Sequence, residues 1–199
     1  KVFPNGEADR LQYSLPEFGL QLNFHPMDFT QINAGINRAI VSQALEKLDL
    51  KKEDTVLDLF CGLGNFTLAI AKQAGEVVGV EGSEEMVRRG YENASVNGIN
   101  NVKFFAANLA ESMANKEWSS VKFNKVLIDP PRSGAAEIIE EISALKAEKI
   151  VYVSCNPATL ARDTALLLSS GYRLISAGVM DMFPHTTHVE SMAEFQLIK

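Results

Sequence analysis

Apolar and polar residues alternate in part over residues 11–24, as Leu11-Gln12-Tyr13-Ser14-Leu15 and again as Leu20-Gln21-Leu22-Asn23-Phe24. Residues 16–19, from a proline to a glycine, lie between the two runs and carry turn chemistry, so the pattern predicts a small β-hairpin. The rhythm then changes. Ile32, Ile36, Ile40, Ala44 and Leu48 recur at the spacing of one helical face, with Thr30 ahead of them as a cap. Beyond Asp54, short runs rich in Val, Ile and Leu predict strands over 55–60, 77–81, 102–106, 125–129, 150–154, 173–179 and 193–198. Helical patterns occupy 66–74, 84–96, 135–145 and 157–169.

Strands that are apolar almost throughout are buried on both faces, and the helices between them supply the cover. The expected fold is therefore α/β, a doubly wound and mostly parallel sheet. No helical pattern separates 173–179 from 193–198, which predicts an antiparallel strand at one edge. Residues 31–199 read as a single domain, and residues 1–30 as an N-terminal extension that holds the hairpin.

Composition excludes more than it assigns. Hydrophobic residues at 46% and charged residues at 22% are ordinary for a globular domain. No apolar run approaches the ~18 residues that cross a bilayer, and Lys1-Val2-Phe3-Pro4-Asn5-Gly6 lacks the apolar stretch of a secretory signal. The two cysteines, Cys61 and Cys155, stand far apart, which argues against a disulfide framework and for a cytoplasmic setting. No Cys/His spacing of a metal site is present, so no metal is expected. A lysine at position 1 reads as the start of a fragment excised from a longer chain. The net charge of −6 and pI near 5.2 weigh against a nucleic-acid partner, because neutralising phosphates takes a basic surface.

Candidate chemistry begins at the first strand–helix turn, Asp58-Leu59-Phe60-Cys61-Gly62-Leu63-Gly64-Asn65-Phe66. Gly62 and Gly64 let backbone N–H groups approach a ligand closely, and the start of the next helix adds positive potential. Glu81 ends the following strand, where a carboxylate can accept hydrogen bonds from both hydroxyls of a ribose. Asn108 follows the third strand, where an amide can reach an adenine edge. A lone Gly-x-Gly also fits a tight turn without a ligand, or the start of a dinucleotide fold. Position 67 is threonine, not the third glycine of that fingerprint, which favours a nucleoside ligand without a pyrophosphate. An acid, three residues, Gly-x-Gly and then an acid at the second strand end together resemble the class I S-adenosylmethionine-dependent methyltransferases, with their Rossmann-like fold. Cys61, inside the turn, reads as a small buried apolar residue.

Two further strand ends carry Leu127-Ile128-Asp129-Pro130-Pro131-Arg132 and Val153-Ser154-Cys155-Asn156-Pro157. Ligands bind at the carboxyl ends of strands in such sheets, so both should face the cofactor. Asn156 suits a helix cap and Pro157 a first helical position, which sets the Cys155 thiol beside a helix N-terminus. There its pKa is expected to fall and the thiolate to be favoured. A buried structural cysteine is the competing reading, set back by the exposure a tight turn gives. An Asp-Pro-Pro-aromatic motif would indicate methylation of exocyclic amines, but Arg132 replaces the aromatic, and that chemistry has no use for a thiol. Carbon methylation does: a thiolate on C6 of uracil makes C5 reactive, and a base must then remove the C5 proton. The polar segment 180–190 holds candidates. Glu190 is either that base or a solvated charge ahead of the last strand, and His185 and His188 read as satisfied or substrate-contacting histidines.

Together these motifs, with Phe29-Thr30-Gln31-Ile32-Asn33 and the His-Thr-Thr-His-Val-Glu stretch, resemble the RNA (uracil-5-)-methyltransferase family from about Phe24 to the end. The resemblance implies S-adenosylmethionine as cofactor, Cys155 as nucleophile and Glu190 as the base. It implies that Gln31, Phe60, Asn65, Glu81, Asn108 and Asp129 surround the cofactor, and that Asp129 and Arg132 help to hold the target uracil. Residues 151–163 and 181–185 look like the rRNA branch rather than the tRNA branch, so 23S rRNA is the implied partner; no protein partner is implied. Two rivals stand beside this: methylation of tRNA uridine, and a catalytically silent RNA- or nucleoside-binding module. Full-length relatives carry an N-terminal OB-like RNA-binding domain and a cysteine-bound iron–sulfur cluster. The resemblance places both outside these residues, which answers the charge objection and implies poor RNA binding by this chain alone.

Overall fold

The computed structural model describes residues 10–198 apart from positions 32, 183 and 187. The expected helix position Ile32, the first nine residues of the extension, and Phe183 and Thr187 of the 180–190 segment lie outside the described residues. Strand β1 (Leu11–Leu15), a single 3-10 turn (Pro16–Phe18) and β2 (Leu20–Phe24) form the hairpin. After helix α1 (Ala34–Leu48) come β3 (Thr55–Leu59), α2 (Thr67–Ala71), β4 (Glu76–Glu81), α3 (Glu84–Val96) and β5 (Val102–Ala106). The second half runs β6 (Lys125–Ile128), α4 (Ala136–Ala144), β7 (Lys149–Ser154), α5 (Pro157–Ser169), β8 (Tyr172–Met180) and β9 (Glu190–Leu197).

Seven strands make one sheet in the order β5-β4-β3-β6-β7-β9-β8. The pairs from β5 to β7 are parallel, and β9 runs antiparallel to both β7 and β8. This is the α/β architecture read from the hydrophobic pattern, including its antiparallel edge. Alternate residues of each strand feed opposite cores. Val56, Leu127, Val151 and Val153 pack toward the hairpin, α1 and α2, whereas Leu57, Leu59, Ile128 and Tyr152 pack toward Ile138, Ile139 and Ile142 of α4.

The hairpin shares the first of these cores through the fully buried Leu15, Leu20 and Leu22. Asn97 on α3 accepts from the backbone of Gln21 and donates back to it, and Asn93 does the same for Asn23. The loop after β2 is held to the same helix. Arg89, only 2% exposed, pairs with Asp28 at 3.0 Å, and that carboxylate also takes the His25 N–H at 2.6 Å. A buried guanidinium requires such partners, and the pairing fixes the stretch that leads to Gln31.

Several expected boundaries shift for physical reasons. Thr30 does not cap α1; Asn33 does, its side chain accepting from the Ile36 N–H at 3.2 Å. The preceding residues stay outside the helix and line a cavity. Strand β3 stops at Leu59 because Phe60 adopts φ +63°, a left-handed conformation foreign to strands. Strand β9 starts at Glu190, three residues earlier than the apolar pattern predicts, because its pairing with β7 extends to Ser191 opposite Ser154.

Candidate active site

The chain steps from β3 outward to β4 on one side and resumes at β6 on the other, and a crevice opens at such a reversal. A cavity of about 650 Å³ lies there, within the range of small-molecule sites. Its walls come from the β3–α2 turn (Phe60, Cys61, Gly62, Leu63, Asn65, Phe66), the end of β4 (Glu81), and the residues after β6 (Asp129, Pro130, Pro131, Arg132). Cys155, His188, Glu190, Met86, Tyr13, Phe29, Thr30 and Gln31 complete them.

The left half is built on Glu81. Its Oε2 accepts the Gly62 N–H at 3.0 Å and its Oε1 the Ser83 N–H at 3.1 Å. Two backbone donors orient the carboxylate while each oxygen keeps a lone pair for a further donor. Gly62, at φ +54°, supplies a conformation that L side chains rarely adopt. Asn65 forms a reciprocal amide pair with Asn37 at 2.9 and 3.0 Å and accepts from the Tyr13 hydroxyl at 2.9 Å. Beneath the turn, Asp58 is fully buried and accepts from the Thr67 hydroxyl at 2.6 Å, while its Oδ1 has no hydrogen-bond partner. Burial pushes its carboxyl up to about 7, opposed by the Thr67 bond and assisted by the nearby Glu81. Cys61 is buried here, and burial raises its thiol far above the ordinary value, which fits an unreactive packing residue.

The right half is built on β7 and β9. Cys155 follows the last residue of β7, and Asn156 caps α5 by accepting the Ala158 N–H at 3.1 Å, with Pro157 at the first helical position. Ser154 pairs across to Ser191, and the Ser191 hydroxyl donates to the Ser154 carbonyl at 2.8 Å. Next to this pair in the chain, Cys155 after Ser154 and Glu190 before Ser191 line the same cavity, and the Glu190 carboxylate acts on the thiol. Glu190 is 2% exposed, not the solvated charge that was one of its two readings, and burial pushes its pKa up to about 7. Asp129, tied to β3 by its N–H to the Leu59 carbonyl at 3.2 Å, is raised well above the carboxylate range by burial and then by Glu190 and Asp58.

The cysteine corrects one expectation. Burial, followed by the Glu190 and Asp129 carboxylates, pushes the Cys155 thiol up, and only Arg132 among the neighbouring charges opposes this. Burial is the largest cause and the two acids add to it, so the shift runs against the lowering expected beside a helix N-terminus. Arg132 also meets His188, its Nη2 standing 3.1 Å from Nδ1. A guanidinium can only donate, so this contact holds Nδ1 as an unprotonated acceptor.

The cavity thus gathers Gln31, Phe60, Gly62, Asn65, Glu81, Asp129, Arg132, Cys155 and Glu190, all singled out from sequence. Two others stand elsewhere. Gly64 lies behind the wall, where a methyl group would meet Leu68 at 3.2 Å. Asn108 is exposed, with its side chain bonded to Glu111 at 3.1 Å and to the Ala110 N–H at 3.0 Å. Tyr13, Met86, Phe29 and Thr30 are wall residues not selected from sequence. The last two belong to a quoted motif of which Gln31 alone was chosen, whereas Tyr13 sits in a hairpin pattern that carries no sign of a ligand.

The tRNA (Uracil-5-)-methyltransferase family matches residues 9–196. The chain is 57% identical to 23S rRNA (uracil(1939)-C(5))-methyltransferase RlmD of Hahella chejuensis, over 98% of this chain and 45% of that protein. It is 55% identical to the protein of the same name from Alcanivorax borkumensis, over 100% and 45%. The chain therefore spans about half the length of the curated relatives it matches. Among solved structures, Pyrococcus abyssi tRNA (uracil-54, C5)-methyltransferase in complex with S-adenosyl-L-homocysteine superposes with a TM-score of 0.81 at 30% identity, covering 94% of this chain and 44% of that one. M. jannaschii TYW2 in complex with AdoMet shares the fold at 18% identity, with a TM-score of 0.69 over 98% and 89%.

Proposed function

Because the chain belongs to the tRNA (uracil-5-)-methyltransferase family, we propose that it methylates C5 of a uridine in RNA, and specifically in 23S rRNA. The observation that carries this reading is a cysteine and a buried glutamate in the wall of one nucleoside-sized cavity, brought there by the pairing of Ser154 with Ser191. Identity of 57% and 55% to proteins named for 23S rRNA, against 30% to one named for tRNA, supports the choice of RNA. Residues 31–199 act as the catalytic domain, and residues 1–30 contribute Tyr13, Phe29 and Thr30 to its walls.

The donor set fits S-adenosylmethionine. Glu81 has two lone pairs free for ribose hydroxyls, Gly62 holds that carboxylate through its N–H, and Phe60, Leu63, Phe66 and Met86 offer apolar surface to a base. When bound, this cofactor supplies an electrophilic methyl group on a sulfonium. Asn65 and Gln31 line the same cavity, and so does Asp129, whose carboxyl also acts on the Cys155 thiol. The family resemblance also names Asn108, which is exposed and bonded to Glu111 and Ala110 rather than part of the cavity wall.

Cys155 adds through Sγ to C6 of the uracil and drives the ring electrons toward O4, so that C5 becomes the nucleophile. Asp129, which holds its proton well above the usual range, can donate a hydrogen bond to the oxyanion that forms, with Arg132 as a cationic partner. After methylation of C5, Glu190 takes the C5 proton, the C5–C6 double bond returns, and Cys155 leaves as the thiolate.

RNA that carries 5-fluorouracil tests this, because fluorine at C5 cannot leave as a proton. The expected result is a denaturation-resistant protein–RNA adduct on Cys155 that requires S-adenosylmethionine and forms with 23S rRNA fragments in preference to tRNA. Absence of any adduct, or an adduct that persists in Cys155→Ala, would overturn the mechanism. An adduct formed preferentially with tRNA would overturn the choice of RNA alone.

A further inference from the structure

Helix α5 starts two residues after Cys155, and its first two turns grip four consecutive residues of the loop that leaves the cavity wall. The Arg132 carbonyl accepts from Asn156 Nδ2 at 3.0 Å and from the Thr159 hydroxyl at 3.4 Å. The Ser133 carbonyl accepts from Arg162 Nη2 at 2.9 Å. At Gly134 the backbone has φ +81°, and a methyl group would fall 2.5 Å from Arg162 Nη2 and 2.6 Å from Asp163 Oδ2, so the loop can approach this closely only because the residue is glycine. The Ala135 N–H then donates to Asp163 Oδ2 at 2.8 Å.

Asp163 is the centre of this clasp. It is fully buried, yet both of its oxygens are engaged. Oδ1 pairs with the Arg162 guanidinium at 2.7 and 2.8 Å, and Oδ2 takes the Tyr152 hydroxyl at 2.6 Å as well as Ala135. Tyr152 lies on β7, three residues before Cys155. One carboxylate thus joins the strand that ends at the thiol, the helix that follows it and the loop that carries Arg132. Ordinary packing of a helix on a loop does not call for a buried charge, which is costly unless every partner is in place.

We infer that Asp163 and Arg162 are positioning residues, which hold the Arg132 guanidinium at a set place relative to Cys155. Neither touches substrate. They act through Arg132, and the inference rests on the proposed role of Cys155 as nucleophile. The groups that face this thiol are Glu190 from β9, Asp129 from the end of β6 and Arg132 from the gripped loop, with His188 bonded to Arg132. Arg132 alone among them favours the thiolate. Loosening the clasp should therefore weaken the thiolate without altering the cofactor half of the cavity.

The test measures alkylation of Cys155 by iodoacetamide against pH in the full chain, read on the Cys155 peptide by mass spectrometry, so that it does not depend on RNA. Arg162 is half exposed; Arg162→Met is compared with Arg162→Lys and with Asp163→Asn. In Arg162→Met and Asp163→Asn, alkylation at pH 8 should slow about threefold while the limiting rate at high pH is kept, and Arg162→Lys should recover most of the loss. Single-turnover methylation per bound cofactor should fall in parallel, with cofactor affinity unchanged. An alkylation profile identical to that of the unmodified protein would reduce the clasp to packing. So would slower alkylation at every pH together with weaker cofactor binding, which is the mark of general loosening. If the unmodified protein methylates no uracil, the proposed function fails, and the alkylation profile still decides the clasp.

Discussion

At the scale of single residues, the site is a set of acids that resist ionising together. In the proposed reaction Glu190 must be deprotonated to remove the C5 proton, and burial pushes its pKa up to about 7. Cys155 must lose its own proton, and burial and two carboxylates push that pKa up as well. Both requirements carry the same sign, so methylation should fall as pH drops through about 7 and continue to rise above it as more thiolate forms; a kcat/KM profile from pH 6 to 9 checks this. Glu190→Gln should lower turnover by roughly 10²–10⁴-fold while a Cys155–RNA adduct accumulates on ordinary uracil, detected as a band shift on a denaturing gel. Cys155 was legible in sequence because a strand end, a capping Asn and a helical Pro follow one another there, yet the pKa inferred from that pattern had the wrong direction. Burial is the first cause of the reversal and the acids of distant segments the second, and both exist only in the assembled sheet.

At the scale of elements, α5 both follows the nucleophile and grips the opposite wall, and Asn156 takes part in each. Its Oδ1 caps the helix and its Nδ2 holds the Arg132 carbonyl. Asn156→Ala should cost about 1 kcal/mol of stability, the usual worth of an N-cap. Asn156→Asp should keep the cap and recover that stability while the Arg132 carbonyl loses its Asn156 donor and keeps only the longer bond from Thr159. Urea unfolding, combined with the methylation rate of each variant, separates the two roles. Most elements could be read from the chain, because strands apolar on both faces and helices apolar on one leave distinct rhythms. Boundaries failed where a contact between elements decided them. Thr30 yields the cap to Asn33 in a segment that turns toward the cavity, and β9 reaches back to Glu190 because β7 offers it partners.

At the scale of the whole molecule, the site weakens the fold that carries it. Glu190 and Asp58 have folded-state pKa values raised to about 7, from ordinary values of 4.5 and 3.8, so the folded chain holds protons that the unfolded chain releases. Their contribution to stability is full below about pH 4 and is lost as pH rises through 7. Asp54, paired with Lys125 at 2.7 Å, and Glu92, paired with Arg89 at 2.7 Å, are lowered and act in the opposite sense, losing their contribution only in acid. Without cofactor, the urea midpoint should therefore be higher at pH 5.5 than at pH 8.5, and Glu190→Gln should flatten much of that difference. The sheet order adds a constraint in time. Strand β8 precedes β9 in the chain, yet its only neighbour in the sheet among the described residues is β9, which lies between it and β7. During synthesis, β8 has to wait beside an unfinished sheet until the later strand is threaded in. A nascent chain therefore holds its Cys155 thiol before it holds the carboxylate that shares the cavity with it, and the cavity wall is complete only once the last strand is in place.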